Sequence, residues 1–191
     1  MYMDFWDVIE ARHSYRSFEA RPVEREVLDR LLHAASLAPS AMNEQPWHFH
    51  VVHGDVRTRL GSIIAQATEH LREYMDQLGP EQYQDAVDWY SSLGGAPVVV
   101  VVSMSRPYSD RDRTNKLLSV GASIENFLLA ATAEALGACS ITFTAWVEDD
   151  IASLLEIGSD REIVGVIAVG WPGAVPPLAP AHEDSVADWV E

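Results

Sequence analysis

Ala96-Pro97-Val98-Val99-Val100-Val101-Val102 decides the fold. Five valines follow the proline with no polar residue among them. A strand with one wet face alternates apolar and polar residues. An unbroken β-branched run is a strand covered on both faces. Ile163–Val169 repeats the pattern as a second strongly buried strand. Trp47–His53 alternates and then runs apolar, which predicts a third strand. Cys139–Phe143 is strand-like.

Between the strands the apolar period changes to that of helices. Asp4–Ala11 predicts a short helix with Phe5, Val8 and Ile9 on one face. A second is predicted from Pro22, which suits a first turn, to Leu37, with Pro39 ending it. Further helices are predicted over Asp55–Leu78, Pro80–Leu93, Arg113–Leu136 and Glu148–Glu156, the longest closed by Gly137. The expected class is α+β: a three-layer sandwich with helices flanking a central sheet. There is no internal repeat and no linker, so residues 1–191 read as one domain. Beyond Gly170-Trp171-Pro172-Gly173 comes a Pro-rich arm, about residues 174–191. Its end, Ser185–Val190, regains strand character and needs a docking surface, for which a second subunit is one candidate.

The chain has 191 residues and a formal charge of −16. A surface this acidic repels nucleic-acid phosphates and anionic lipid. Neither nucleic acid nor membrane is an expected partner, and any bound anion needs a local site. No apolar run is long enough to cross a bilayer. The first residues carry acids where an export signal carries positive charge, and Cys139 is the single cysteine. Both predict a cytoplasmic protein.

Two polar stretches carry the chemistry. In Arg12-His13-Ser14-Tyr15-Arg16-Ser17, residues 12, 14 and 16 share one side of an extended segment. Two guanidinium forks and a hydroxyl on one spot suit a phosphate. The alternative is a solvated turn whose arginines pair with nearby acids. In Pro39-Ser40-Ala41-Met42-Asn43-Glu44-Gln45-Pro46-Trp47, the Asn43 and Gln45 amides offer donors and acceptors to a heteroaromatic ring. The alternative is a loop that closes a helix. His48, His50 and His53 lack a completing ligand, so no metal site is expected. Cys139 reads as a buried structural thiol. No dinucleotide-binding glycine motif follows a strand.

Taken in order, Arg12-His13-Ser14-Tyr15-Arg16, then Ala38-Pro39-Ser40 with Asn43 and Gln45-Pro46-Trp47, then Val120-Gly121-Ala122 through Asn126-Phe127-Leu128-Leu129-Ala130-Ala131 to Leu136-Gly137, then Val169-Gly170-Trp171-Pro172, resemble the FMN-dependent nitroreductase superfamily. The match covers nearly the whole chain. The resemblance implies a homodimer around a mostly antiparallel sheet, with two FMN sites at the subunit interface. It also implies a C-terminal strand exchanged onto the partner's sheet, and a dimer core formed by the Arg113–Leu136 helix. By the same resemblance Arg12, Ser14 and Arg16 hold the FMN phosphate with His13 nearby. Pro39, Ser40, Ala41, Asn43 and Gln45 approach the flavin from the other subunit. Ser140, Ile141, Thr142 and Phe143 pass along the ring, a backbone N–H at Thr142 or Phe143 donates to N5, and Gly170 and Trp171 close the phosphate end.

The implied activity is ping-pong hydride transfer from NAD(P)H to a nitroaromatic, quinone or related electrophile, with the chemistry carried by the cofactor and no catalytic side chain. Dehalogenation, enone reduction, flavin breakdown and a deazaflavin cofactor stay open within the superfamily, as does a flavin-sequestering protein with little turnover. The chain departs from the family pattern in three places. Asp88-Trp89-Tyr90-Ser91-Ser92 replaces an Asn and a Lys, Thr142-Phe143 replaces Glu-Gly, and the late basic position offers only His182.

Overall fold

The computed structural model describes residues 3–70, 80–174 and 186–190. The strands are β1 (Trp47–His53), β2 (Val98–Ser105), β3 (Gly137–Ile141) and β4 (Arg161–Gly170). The helices are α1 (Phe5–Ala11), α2 (Arg25–Ser36), α3 (Gly54–Gln66), α4 (Pro80–Ser92), α5 (Asp110–Ala133) and α6 (Glu148–Leu155). The sheet order is β1-β2-β4-β3, and every pair is antiparallel.

The valine run lies inside this sheet, as its composition requires. Val98, Val100, Val102 and Met104 enter one core with Leu28, Leu31 and Ala35 of α2 and Val120 and Phe127 of α5. Val99 and Val101 enter the other, with Leu60 and Ile64 of α3 and Ile151 of α6. Three layers follow directly from one strand being apolar on both faces.

Several element ends differ from expectation. Helix α2 starts at Arg25, not Pro22, because Pro22 has another role: its carbonyl accepts the Trp171 Nε1 hydrogen 3.0 Å away. The strand β2 continues to Ser105, since Ser103 and Met104 are buried. Helix α5 begins at Asp110, where the Ser109 hydroxyl accepts from the Asp112 amide. It ends at Ala133 rather than at Leu136, because Ala135 adopts the left-handed conformation (φ 59°) expected of Gly137. Gly137 instead opens β3, where a β-carbon would lie 2.7 Å from the Tyr15 ring. β3 is therefore shifted, and Thr142 and Phe143 lie beyond its end. Helix α3 stops at Gln66; residues 71–79 of the helix expected to reach Leu78 lie outside the described residues. Val186–Val190 forms no strand within the chain and is exposed, since a lone strand has nothing to hydrogen-bond. His182 and Ser185 lie outside the described residues.

A polar staple joins three strands. Arg161 Nε donates to Ser103 Oγ (2.8 Å) and Arg161 Nη2 to the Pro46 carbonyl (3.0 Å). His50 Nε2 lies 3.0 Å from the same Oγ, within hydrogen-bonding distance. His50 is neutral at physiological pH. Burial, with help from His48 and Arg161, lowers its pKa from 6.5 to about 4. The unfolded chain binds the proton more readily, so this stability is present above pH 6.5 and is lost as the pH falls toward 4. H50Q, which keeps an acceptor but cannot titrate, is expected to lose less stability over that window. Urea midpoints at pH 7.5 and 4.5 check this; equal losses in both proteins exclude His50.

Candidate functional site

The segment Arg12–Ser17 is extended because its backbone is stitched at both ends. The Tyr15 amide donates to the Ala138 carbonyl (3.0 Å), which makes Ser14 a parallel neighbour of β3. The Phe18 amide donates to Gly94 (2.9 Å), and Phe18 bridges Pro172. The Gly173 amide donates to Ser17 (2.8 Å) and the Glu19 amide to Trp171 (3.0 Å). Tyr15 packs against one core and Phe18 is buried in it. The apolar residues of the segment thus go inward, and Arg16 faces out.

Arg12 Nε lies 3.1 Å from Glu125 Oε1 of α5. Among the described residues Arg16 makes one long hydrogen bond, Nη1 to the Ser14 carbonyl at 3.3 Å. His13 Nδ1 lies 2.8 Å from the Ala11 carbonyl. The Arg16 main chain is fixed from α4: Trp89 Nε1 donates to its carbonyl at 2.7 Å. Burial pushes the Tyr90 phenol and the Cys139 thiol upward, and the positive charge of Arg16 opposes both shifts. Tyr90 therefore stays protonated at neutral pH, as a potential donor. Cys139 is buried and free.

Ala138 directs its carbonyl outward, to Tyr15. Alternate strand residues share that direction, so Ser140 presents its N–H and C=O on the same outer edge. Ile141 is buried, and Thr142 and Phe143 lead off that edge. An aromatic series flanks it: Trp89–Tyr90 (ring centroids 5.0 Å apart), Tyr90–Phe143 (5.8 Å) and Phe143–Trp146 (4.7 Å). Trp171 carries the Arg21 guanidinium 3.8 Å above its ring, and Gly170 is buried where a β-carbon would collide with Pro97. Arg12, Ser14 and Arg16 therefore run along the outer edge of β3 with Ser140, and Gly170 and Trp171 lie at its Gly137 end.

The second stretch lies elsewhere. Ser40 is followed by a single 3-10 turn, Ala41–Asn43, in which Met42 and Asn43 are left-handed; Gln45 is left-handed as well. Ser40 Oγ accepts from the Gln45 amide (3.0 Å), and Gln45 Nε2 donates to Asn43 Oδ1 (3.1 Å). The loop rests on α5, with the Ala41 amide donating to Ser119 Oγ (3.3 Å) and Glu44 paired with Lys116 (3.0 Å). At about 100° per residue, Glu125 is turned about 180° around α5 from Lys116 and about 120° from Ser119. One chain thus holds both stretches on different sides of α5 and does not join them. Glu125 shares its side of the helix with Leu118 and Gly121, which are exposed. Exposed Phe5, Trp6 and Leu37 add to the apolar surface around α1 and the end of α2.

Sequence reasoning missed the anchors of the loop. A signal was present: Asp112, Lys116, Ser119 and Ser123 recur at helical spacing, a polar stripe on the buried side of α5. The indole N–H of Trp89 had no such signal. A cavity of about 610 Å³ between α2 and the open edge of β1, bounded by Pro22, Val23, Leu32, Val51 and His53, includes none of the expected site residues. Among the described residues no group of three or more His, Cys, Asp or Glu is placed to hold a metal.

Residues 9–171 match the family model described as the Nitroreductase family. The chain belongs to the nitroreductase family. Family relatives include iodotyrosine deiodinase of Danio rerio, 27% identical over 181 residues, which cover 89% of this chain and 60% of that one. The chain thus spans less than two thirds of that relative. Nitrobenzene nitroreductase of Ectopseudomonas oleovorans is 25% identical over 200 residues, covering 86% of this chain and 85% of the relative. A solved family fold, the nitroreductase with bound FMN from Bacteroides fragilis NCTC 9343, superimposes with a TM-score of 0.78 over 99% of this chain and 100% of that one, at 21% identity. Among the described residues no helix is long and apolar enough to cross a membrane.

Proposed function

We propose that this chain is an FMN-dependent oxidoreductase that works as a homodimer, taking hydride from NAD(P)H and passing it to a small electrophilic acceptor such as a nitroarene or quinone. One observation carries the reading: the Arg12–Arg16 segment is held extended along the edge of β3, with the Arg16 guanidinium committed, among the described residues, to nothing stronger than a long contact. In a protein of charge −16 this is a built place for an anion.

The donor set fits the cofactor. Arg16, Ser14 and Arg12 would take the phosphate, with Arg12 exchanging Glu125 for it and His13 beside them. Gly170 and Trp171 would bound that end. Ser140 and Ile141 would line the ring, and a main-chain N–H of Thr142 or Phe143 would donate to its N5. Pro39, Ser40, Ala41, Asn43 and Gln45 would reach the same ring from the partner subunit, which the separation of the two stretches around α5 supports. The exposed apolar surface beside Glu125 supports a second copy there, and the open edge of β1 supports exchange of the C-terminal arm. Bound FMN supplies the hydride chemistry. The chain's part is to hold the phosphate, place an N–H donor at the ring edge and exclude water with Tyr90, Phe143 and Trp146. By the family resemblance the stretch Asp88–Ser92 would face the flavin without the Asn and Lys often found there, and the neutral Tyr90 phenol is the donor it would offer instead. A cytoplasmic location accords with one buried free thiol.

Reductive dehalogenation is the second reading, favoured by the likeness to iodotyrosine deiodinase. The purified protein is expected to be yellow and dimeric, with visible absorbance bleached anaerobically by NADH or NADPH and restored by a nitroarene or quinone. Restoration by an iodophenol alone favours the second reading. NAD(P)H consumption that stops at one flavin equivalent indicates sequestration, and a colourless protein that takes up no FMN overturns the proposal.

A further inference from the structure

Lys116 is the chain's single lysine, and it is buried at 5% exposure inside α5. A buried ammonium is costly unless it is fully paired. Lys116 Nζ lies 3.2 Å from Asp112 Oδ2 and 3.0 Å from Glu44 Oε1. Asp112 is buried as well, and its Oδ2 also accepts from the Tyr108 amide at 3.2 Å. Glu44 Oε1 further accepts from Ser105 Oγ at 3.3 Å. The ammonium and its Asp112 partner thus form a fixed base, and Glu44 is the one member that belongs to the loop.

That loop needs holding. Met42, Asn43 and Gln45 have φ of 54°, 56° and 49°, the left-handed region, and none is glycine. Such conformations persist only where the surroundings over-determine them. Met42 is fully exposed, so the core supplies no restraint at that residue. Ser40 Oγ closes the loop on itself through the Gln45 amide, and the ties to the rest of the chain are the Ser119 hydroxyl on Ala41 at one end and Glu44, paired with Lys116 and bonded by Ser105 Oγ, at the other. Between them Asn43 and Gln45 are exposed and share one amide–amide hydrogen bond. Among the described residues that bond leaves Asn43 Nδ2 as a donor and Gln45 Oε1 as an acceptor on two linked side chains. This is the complement of an imide edge, in which an N–H lies beside carbonyl oxygens.

We propose that Lys116 is a positioning residue that, through Glu44, locks the left-handed loop Ala41–Gln45 in the shape that presents Asn43 and Gln45 as a paired donor and acceptor for a flavin's imide edge. The proposal rests on the flavin reading for the ligand, but the lock itself is a property of the chain. It gives Glu44 a defined effect on binding.

E44A is the clean test, because it cuts the tether and leaves the Lys116–Asp112 pair in place. E44Q, which keeps a hydrogen bond without the charge, is the conservative variant. Hydrogen exchange of amides 41–45 in the flavin-free protein is expected to quicken about tenfold or more in E44A and less in E44Q, while amides of the central sheet keep their protection at the assay temperature. FMN titration is expected to give about tenfold weaker binding in E44A with partial recovery in E44Q, and an altered visible band of the bound flavin. Wild-type exchange in E44A overturns the lock. Quickened exchange with wild-type FMN affinity and spectrum overturns the positioning role. If the wild-type protein binds no FMN, the flavin reading fails and the proposed ligand with it, while the exchange result still decides the lock.

Discussion

Replacing Arg12 and Arg16 together with alanine is expected to weaken FMN binding by about 100-fold or more, since each charge-assisted hydrogen bond to an anion contributes about 1.5–3 kcal/mol. The fold should be little affected. Arg12 is one third exposed in its pair with Glu125, and an exposed pair contributes at most about 1 kcal/mol. Arg16 is held by its main-chain carbonyl, which the substitution leaves on Trp89. The purified double variant should therefore be colourless, dimeric and folded. Full flavin absorbance in that variant would refute the phosphate assignment. E125Q gives the opposite control: it frees Arg12 and should tighten FMN binding rather than weaken it.

The second large effect is expected at Gly94. Its φ is +64°, and a β-carbon there would sit within 2.9 Å of the Arg16 carbonyl carbon and 3.0 Å of Trp89 Nε1. Backbone at that distance cannot yield without moving the whole Arg12–Phe18 segment. G94A combines a left-handed penalty with this collision, so a loss of about 3 kcal/mol is expected, or a melting point lower by about 6–12 °C. Gly95 is the control, because its φ of +79° carries the same torsional penalty, yet the nearest atom to its β-carbon, the Phe18 carbonyl oxygen, is 3.4 Å away. G95A should cost only about 1 kcal/mol. Equal melting points for the two variants would show that the collision does not matter. G94A should also bind FMN less tightly, because it displaces the main chain that carries Arg16.

The layers of this fold were legible because burial on both faces writes itself into one strand. Five consecutive valines leave neither face of a strand fit for water. Helix ends were less legible, because capping is chosen by competition. Ala135 took the left-handed position, which left Gly137 to make room for Tyr15. The extended Arg12–Ser17 segment was readable from its alternation. The company it keeps was not, since the Trp89 hydrogen bond spans 73 residues and the Arg12–Glu125 pair spans more. The loop at 40–45 showed its amides but not its support, which comes from a polar stripe far along the chain.

The walled-in ammonium has a practical consequence. Protonated and doubly paired, Lys116 is no nucleophile. Succinimidyl dyes, amine-coupled sensor chips and lysine cross-linkers will therefore find no side chain to react with on this protein. Reagents directed at carboxylates, which the surface offers in abundance, are the way to tag it or map its neighbours.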